Sequence, residues 1–363
     1  MREDLPYWLG LLRYPKFGPV RMARLQAAFP TNMRDAFSAS MSVLMAAGIE
    51  PAVAEGFILE RSSINPTKEF ERVQAAGLRA ITRLDEDYPK TLLTLYDPPA
   101  VLFVRGNLPV PDRRLLAVVG SRQATSYGLE TTRLLTKPLA EAGVGIVSGL
   151  AYGIDAASHE AALEVGGYTM AVLGGGVDEA SIYPSQHRAL AARIVTSGGA
   201  VLSEYLPGTA SLKYHFPIRN RIIAGLCAAT LVVEAAEKSG SLITAREALE
   251  SGRDVFAVPG PITSPLSNGP HALIRSGALC VTCANDMLEV LGLAPAPKIC
   301  LPTFEPADAD EAAVYKALSN APQHIDDLVE ATHLSAPKIS SILTKLDLAG
   351  HAHDAGGLHF VKT

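Results

Sequence analysis

Short strand-like runs that alternate with helical periodicity most constrain the fold of this 363-residue chain. The alternation predicts an α/β fold with an extended, Rossmann-like, mostly parallel sheet, covered by helices on both faces and connected by right-handed crossovers. The β-rich runs are residues 115–119, 144–147, 168–173, 231–233 and 254–258, and helical patterns between them include 131–142, 156–165 and 242–251.

Small and polar residues follow three of these strands directly. They are Gly120-Ser121-Arg122, Ser148-Gly149 and Gly174-Gly175-Gly176. In sheets of this kind, ligands bind beyond the carboxyl ends of the strands. We therefore expect the three segments to cluster on one rim of the sheet.

Each rim motif has two interpretations when taken alone. Arg122 could hold a phosphate with two parallel hydrogen bonds or form a surface ion pair. The three glycines could admit an anion or only make a tight turn. The hydroxyls of 239–244 could cap a helix or bind an anion. Asp155 and His159, four residues apart on a helix, could act as an acid–base pair, although an Asp that favours the helix dipole is the simpler interpretation.

A denser signal lies in residues 213–225, where cations, an amide and rings run into a helical pattern. Lys213, Arg219 and Arg221 share nine residues with Asn220 and three aromatic rings, one of them Phe216. Cations at a helix N-terminus can hold phosphate oxygens, and flat rings allow bases to stack without sequence preference. The segment predicts a site for a polyanion that carries bases, whereas the alternative is an ordinary surface helix start.

The flanks of the βα region differ from it in pattern. Residues 1–65 predict a small domain of short helices, 66–292 the Rossmann-like domain, and 293–304 a linker rich in proline. Residues 305–363 predict three helices and a hairpin, which together describe a winged helix. Its third helix carries only Lys338 and Lys345, so we expect a protein contact or a structural role rather than duplex binding.

Charge and composition limit the function further. The net charge of −5 falls on 305–363, which carry four basic and nine acidic residues, so a nucleic-acid site must be a local patch elsewhere. Cys280 and Cys283 form a C-x-x-C pair without further zinc ligands, and we expect no metal and no cofactor. Phosphate-loop, dinucleotide and nucleophile-elbow motifs are absent. The polar start and the lack of a long apolar run predict a cytoplasmic protein without a membrane span.

Several motifs, in order over about residues 80–290, resemble the DNA-processing protein A (DprA/Smf) family. They are Val119-Gly-Ser-Arg122, Ser148-Gly-Leu-Ala-Tyr-Gly-Ile-Asp155, Tyr183-Pro184, Phe216-Pro-Ile-Arg-Asn-Arg-Ile-Ile-Ala-Gly225, Ser239-Gly-Ser-Leu-Ile-Thr244 and Gly252-Arg-Asp-Val-Phe-Ala-Val-Pro-Gly260. The helical start resembles the family's sterile-alpha-motif-like (SAM) domain, and the tail its winged helix.

The resemblance implies a homodimer, built through the Rossmann-like domains, that binds and protects single-stranded DNA. It also implies loading of the RecA recombinase during natural transformation (competence) and homologous recombination, without catalysis. The family's phosphate contacts fall on Arg122, Lys213, Arg219 and Arg221, and its base contact on Phe216. The remaining residues implied to line the site are Gly120, Ser121, Asn220, Gly240 and Ser241.

Two alternatives stay open at this point. A nucleotide hydrolase related to the phosphoribohydrolases could use the same rim, although residues 239–244 lack the Glu spacing of the signature of those enzymes. DNA could also be held by the hairpin at 15–25, where Lys16, Arg21 and Arg24 resemble a helix-hairpin-helix element.

Overall fold

A nine-stranded sheet organises the longer part of the computed structural model, which describes residues 2–295, 306, 308–319, 322–348 and 351–362. The strands are β1 (Arg79–Thr82), β2 (Val101–Gly106), β3 (Leu115–Val119), β4 (Gly145–Ser148), β5 (Thr169–Val172), β6 (Ala200–Ser203), β7 (Ala229–Val232), β8 (Asp254–Ala257) and β9 (Leu279–Cys280). Their spatial order is β1-β2-β6-β5-β4-β3-β7-β8-β9. In this spatial order, every pair of neighbouring strands from β6 through to β9 is parallel. By contrast, β2 pairs antiparallel with both β1 and β6. The predicted mostly parallel sheet is confirmed.

The strand order changes direction at β3. Leu115 to Ala117 pair with β4 on one side, and Leu116 to Val119 pair with β7 on the other. Every residue of β3 is buried, as expected for a parallel strand covered on both faces. Such a reversal leaves a crevice at the carboxyl ends of the two diverging strands, and this crevice is where ligands bind in open α/β sheets.

Helices cover the sheet and also precede it. Six precede β1: α1 (Leu5–Leu12), α2 (Pro19–Ala28), α3 (Met33–Ser38), α4 (Met41–Ala46), α5 (Pro51–Glu60) and α6 (Pro66–Ala75). Seven more follow β3 in the same part: α7 (Ser126–Glu141), α8 (Ile154–Glu164), α9 (Arg188–Thr196), α10 (His215–Leu226), α11 (Ser241–Glu250), α12 (Asn268–Arg275) and α13 (Ala284–Val290).

The six leading helices share a hydrophobic core with the sheet. Trp8 and Phe57 of the helices belong to the same buried cluster as Phe103, Ala171 and Val201 of the strands. The chain divides into two compact units, residues 1–296 and 297–363. The predicted boundary at residue 65 and the SAM-like character of the leading helices stay predictions.

The second unit consists of three helices and a small sheet. Its helices are α14 (Ala309–Ala317), α15 (Ile325–Thr332) and α16 (Ala336–Leu348), and its strands are β10 (Gln323–His324), β11 (Ala352–Gly356) and β12 (His359–Lys362) in the order β10-β12-β11. This is the predicted winged-helix arrangement. Lys338, one of the two cations predicted on the third helix, donates to Asp310 of α14.

Candidate functional site

A pocket of about 740 Å³ lies at the point where the strand order reverses. One wall is the turn from β3 into α7, and the facing wall is the start of α11 after β7. The N-terminal half of α10 supplies a third wall. The pocket therefore occupies the position that the topology predicts for a ligand.

Nine of the ten sequence-predicted site residues line this pocket. They are Gly120, Ser121, Arg122, Lys213, Phe216, Arg219, Asn220, Gly240 and Ser241. Lys238 also lines it, although the sequence analysis did not single it out. Its position directly before Ser239-Gly240-Ser241 was the signal that could have identified it.

Glu234 fixes the turn that carries Arg122. Its carboxylate accepts hydrogen bonds from the backbone N–H of Thr125 at 2.9 Å and from the Thr125 hydroxyl at 2.6 Å. Its backbone carbonyl accepts from the N–H of Ser121 at 2.7 Å. Glu234 is 4% exposed and lies two residues after the end of β7, so the segment after one central strand holds the turn after the other. Glu234 is not among the residues that the sequence singled out.

Helical periodicity decides which side chains of α10 reach the pocket. Phe216, Arg219, Asn220 and Ile223 are spaced by three or four residues and line it together. Residues at this spacing share one helix face. Lys213, in the turn before α10, is exposed and lines the same wall.

Arg219 forms part of the floor of the pocket. Its Nη1 donates to the carbonyl oxygen of Gly149 at 2.9 Å and to that of Val172, and the residue is only 3% exposed. A Cβ at Gly149 would lie 2.5 Å from the Arg219 guanidinium, so a larger residue there would displace the guanidinium. The Nε has no hydrogen-bond partner among the described residues. A buried cation with an unpartnered N–H favours an anionic ligand.

Burial shifts the pKa values of the two charged residues at the floor of the pocket, Arg219 and Asp155. It lowers the pKa of Arg219 to about 10, while Asp155 opposes the shift and so favours the charged form. Burial also raises the pKa of Asp155. The Arg219 charge and the N–H groups of Gly149 and Ala151, which donate to the carboxylate, oppose this rise. A guanidinium with a pKa of about 10 remains cationic at neutral pH.

Phe216 lies against both a cation and a glycine. The Arg122 guanidinium carbon is 5.1 Å from the centroid of the ring, a cation–π distance. A Cβ at Gly174 would lie 3.1 Å from the ring. The lack of a side chain at this position after β5 therefore lets the Phe216 ring pack closely against the backbone. The three rim segments predicted from sequence thus meet around Phe216 and Arg219.

Arg221 corrects the sequence-based expectation. It does not line the pocket, because Arg219 and Arg221 are two positions apart and so face roughly 200° apart around a helix. Its guanidinium lies 2.6 Å from Glu204 and 3.2 Å from Asp97, and its side chain is 6% exposed. We therefore remove Arg221 from the predicted phosphate contacts. It anchors α10 to the residues around β6 and before β2.

The start of α11 combines hydroxyls and exposed backbone. The Ser239 and Ser241 hydroxyl oxygens lie 2.7 Å apart, and the Asn220 amide donates to the Gly240 carbonyl at 3.2 Å. The Asn220 bond ties α10 to α11. Gly240 has open space where a Cβ would stand, so its role in the pocket does not depend on a close approach.

The pair Asp155 and His159 has no acid–base geometry. The Asp155 carboxylate is occupied by backbone N–H groups, while the Nδ1 of His159 lies 2.6 Å from the Thr169 hydroxyl. Burial lowers the pKa of His159 to about 3, so the ring is neutral at physiological pH. The simpler interpretation, a structural Asp at the helix start, fits these contacts.

Two of the three cations of the N-terminal hairpin are engaged elsewhere. Arg21 donates to Glu50 at 2.7 Å, and Arg24 donates to the same carboxylate at 3.3 Å. The hydrogen bond from Arg21 lowers the pKa of Glu50 to about 2. These pairs reduce the positive charge that the hairpin can offer to phosphates.

Metal clusters and membrane-spanning helices are both absent from the described residues. No group of three or more His, Cys, Asp or Glu side chains is placed to hold a metal ion. Within the same residues, no helix has the length and apolar content needed to cross a membrane.

The fold and the pocket together define a Rossmann-like α/β protein with a cationic and aromatic site at the switch point of its sheet, followed by a winged helix. Residues 79–292 match the family of DNA recombination-mediator protein A, and residues 295–357 match the DprA winged helix domain. The chain belongs to the DNA recombination-mediator protein A family, as the sequence motifs indicated.

Individual relatives agree with this assignment. Protein Smf of Escherichia coli is 45% identical over 272 residues, which are 73% of this chain and 72% of that protein. The crystal structure of DNA processing protein A from Streptococcus pneumoniae has a TM-score of 0.68 and 38% identity over 78% of this chain and 97% of its own. A structure of the Helicobacter pylori protein, described for its unique single-stranded DNA binding mode, has a TM-score of 0.53 and 29% identity over 59% of this chain and 95% of its own.

Proposed function

We propose that the pocket binds single-stranded DNA and that the protein protects incoming strands and hands them to the RecA recombinase in natural transformation and homologous recombination. The observation that carries the binding proposal is the convergence of Arg122, Lys213 and Arg219 around Phe216 in one pocket. Cations hold the phosphates and the ring stacks on a base, which is how proteins bind single strands without sequence preference. The single-stranded DNA binding described for the Helicobacter pylori relative supports the same proposal.

A salt titration of binding to a labelled single strand and to a duplex tests it. We expect the single strand to bind more tightly, because the stacking ring needs an unpaired base. With three phosphate contacts, the logarithm of affinity should fall against the logarithm of salt with a slope of about −2. Arg122→Ala should weaken binding to all sequences alike and reduce that slope by about 0.7. Arg133→Ala, an exposed cation of α7 outside the pocket, is the matched control. Equal affinity of wild type and Arg122→Ala would refute the site.

The description of the family as a recombination mediator supports the proposed loading of RecA. The test is RecA filament assembly on a single strand already coated with single-strand-binding protein. We expect the wild-type protein to accelerate assembly and Arg122→Ala to do so far less. If the wild-type protein binds the strand yet leaves assembly unchanged, the mediator role fails while the binding role stands.

We also propose that the protein acts as a homodimer and without catalysis. Exposed apolar surface supports the first point: both residues of the edge strand β9 are exposed, and Ile262, in the segment after β8, is 88% exposed. Light scattering on wild type and Ile262→Glu measures the mass.

The state of Asp155 supports the absence of catalysis. It is the one carboxylate among the pocket-lining residues, and backbone N–H groups already donate to it. Release of free base from a nucleoside monophosphate would instead favour the hydrolase alternative.

A further inference from the structure

A narrow cleft continues the pocket beyond Phe216. It is lined by Tyr152 and Pro184, and it shares Arg122, Phe216 and Tyr183 with the main pocket. Both surfaces thus belong to one continuous groove. Neither tyrosine is among the ten site residues predicted from the sequence.

Both tyrosines expose large parts of their rings at this cleft. Tyr183 is 53% exposed and Tyr152 is 41% exposed. Exposed rings that adjoin a cationic pocket suit stacking with the bases of a strand. If the two rings served only to stabilise the core, they would be buried.

The geometry of the rings provides separate stacking faces. The centroids of Tyr183 and Phe216 are 5.9 Å apart with an interplanar angle of 41°. The two rings already contact each other, so no base fits between them, and each offers only its outer face. Two tilted faces in contact suit two successive bases better than one clamped base.

Tyr152 is held in place from two sides. Its hydroxyl donates to the side-chain oxygen of Gln186 at 2.7 Å, and its ring meets His187 edge-on with centroids 4.9 Å apart. His187 in turn bonds through Nδ1 with the Leu150 carbonyl at 2.8 Å. A ring fixed before binding loses little conformational entropy when a base stacks on it.

We propose that Tyr183 and Tyr152 are base-stacking residues that extend the site, so that the strand leaves the pocket past Phe216 along this cleft rather than past Lys238. The inference rests on the proposed function and defines the route of the strand. Arg122 lines both the pocket and the cleft, where it is placed to hold a phosphate between the stacked nucleotides.

Binding of oligothymidylates of increasing length tests the route. Tyr183→Ala should weaken binding of a long oligonucleotide by about 5- to 150-fold, the range for loss of one stacked base. The loss should shrink for thymidine monophosphate, whose single base can stack on Phe216 alone. Tyr183→Phe should bind like wild type, because the ring and not the hydroxyl makes the contact. Tyr96→Ala removes a ring that is 94% exposed and outside both surfaces, and it is the matched control.

A cross-linking measurement on the wild-type protein avoids any effect of substitution on folding. Oligonucleotides with 5-iododeoxyuridine at successive positions should cross-link to Phe216, Tyr183 and Tyr152 in turn. Adducts confined to Phe216 and the Lys238 side would overturn the proposed route. So would wild-type affinity of Tyr183→Ala when Phe216→Ala has lost binding. If the wild-type protein binds no single strand at any length, the proposed function fails instead.

Discussion

The guanidinium carbon of Arg122 lies 5.1 Å from the centroid of the Phe216 ring, so a cation of the β3–α7 turn and a ring of α10 contact each other across the pocket. Because a cation–π contact contributes about 0.5–2 kcal/mol, we expect the two side chains to stabilise each other in the free protein. The summed losses in the free energy of unfolding of Arg122→Ala and Phe216→Ala, measured without DNA, should differ from the loss in the double variant by that amount. Additivity within about 0.3–0.5 kcal/mol would mean that the contact does not contribute to stability.

Arg219 should matter for stability as well as for binding. Arg219→Ala removes charge-assisted hydrogen bonds to two carbonyl oxygens. Because each bond to a charged group contributes about 1.5–3 kcal/mol, we expect the free energy of unfolding to fall by about 3–6 kcal/mol. Arg219→Lys keeps the charge but not the planar donor geometry, and should fall between. Urea unfolding without DNA measures both, and a wild-type value for Arg219→Ala would contradict the assigned role.

Glu234 should influence binding although it does not line the pocket. Glu234→Ala removes both acceptors that hold Thr125 and frees the turn that positions Arg122. Loss of about 1.5 kcal/mol of positioning corresponds to roughly tenfold weaker single-strand binding. Amide hydrogen exchange in residues 121–128 should accelerate in the same variant. Glu237→Ala, which changes an exposed neighbour, is the control and should show neither effect.

Stability should depend on pH through His159. Burial lowers the pKa of this ring in the folded protein to about 3, below its ordinary value near 6.5. The unfolded chain therefore takes up the proton first, and the free energy of unfolding falls as pH decreases from about 6.5 towards 3. The contribution is complete above pH 6.5.

The variant His159→Met isolates this effect from other titrating groups. Thr169 still donates its hydroxyl to the Ile146 carbonyl when the ring is gone, so no new donor is orphaned. Denaturant unfolding of both proteins at pH 8, 6 and 5 gives the comparison. The wild type should lose more stability than the variant between pH 6 and 5, and parallel curves would show that His159 does not titrate on unfolding.

The sequence predicted the parallel centre of the sheet because those strands are continuous apolar runs between helical patterns. It missed β6 at Ala200–Ser203, the two-residue strand β9 and the antiparallel strands β1 and β2. The segment at 200–203 has only four residues, and the pairing of an added strand depends on the tertiary structure rather than on its own pattern. Helices α4 and α5 were also not delineated individually within the predicted helical start.

The sequence predicted which residue types form the site, but not which way each side chain faces. Proximity in sequence placed Arg219 and Arg221 together, whereas the turn of the helix separates them. The roles of Glu234 and Tyr183 depend on contacts between segments that are distant in sequence. Local composition contains no signal for such contacts.

The core that α1–α6 share with the sheet has a thermodynamic consequence. Trp8 and Phe57 are completely buried in the same cluster as the strand residues Phe103 and Val201, so separating helices from sheet would expose both sides to water. Residues 2–295 should therefore melt in a single cooperative transition rather than in two steps. The rigidity of the pocket wall is then a property of the whole unit, and damage as far away as α1 should lower the population of molecules that are able to bind a strand.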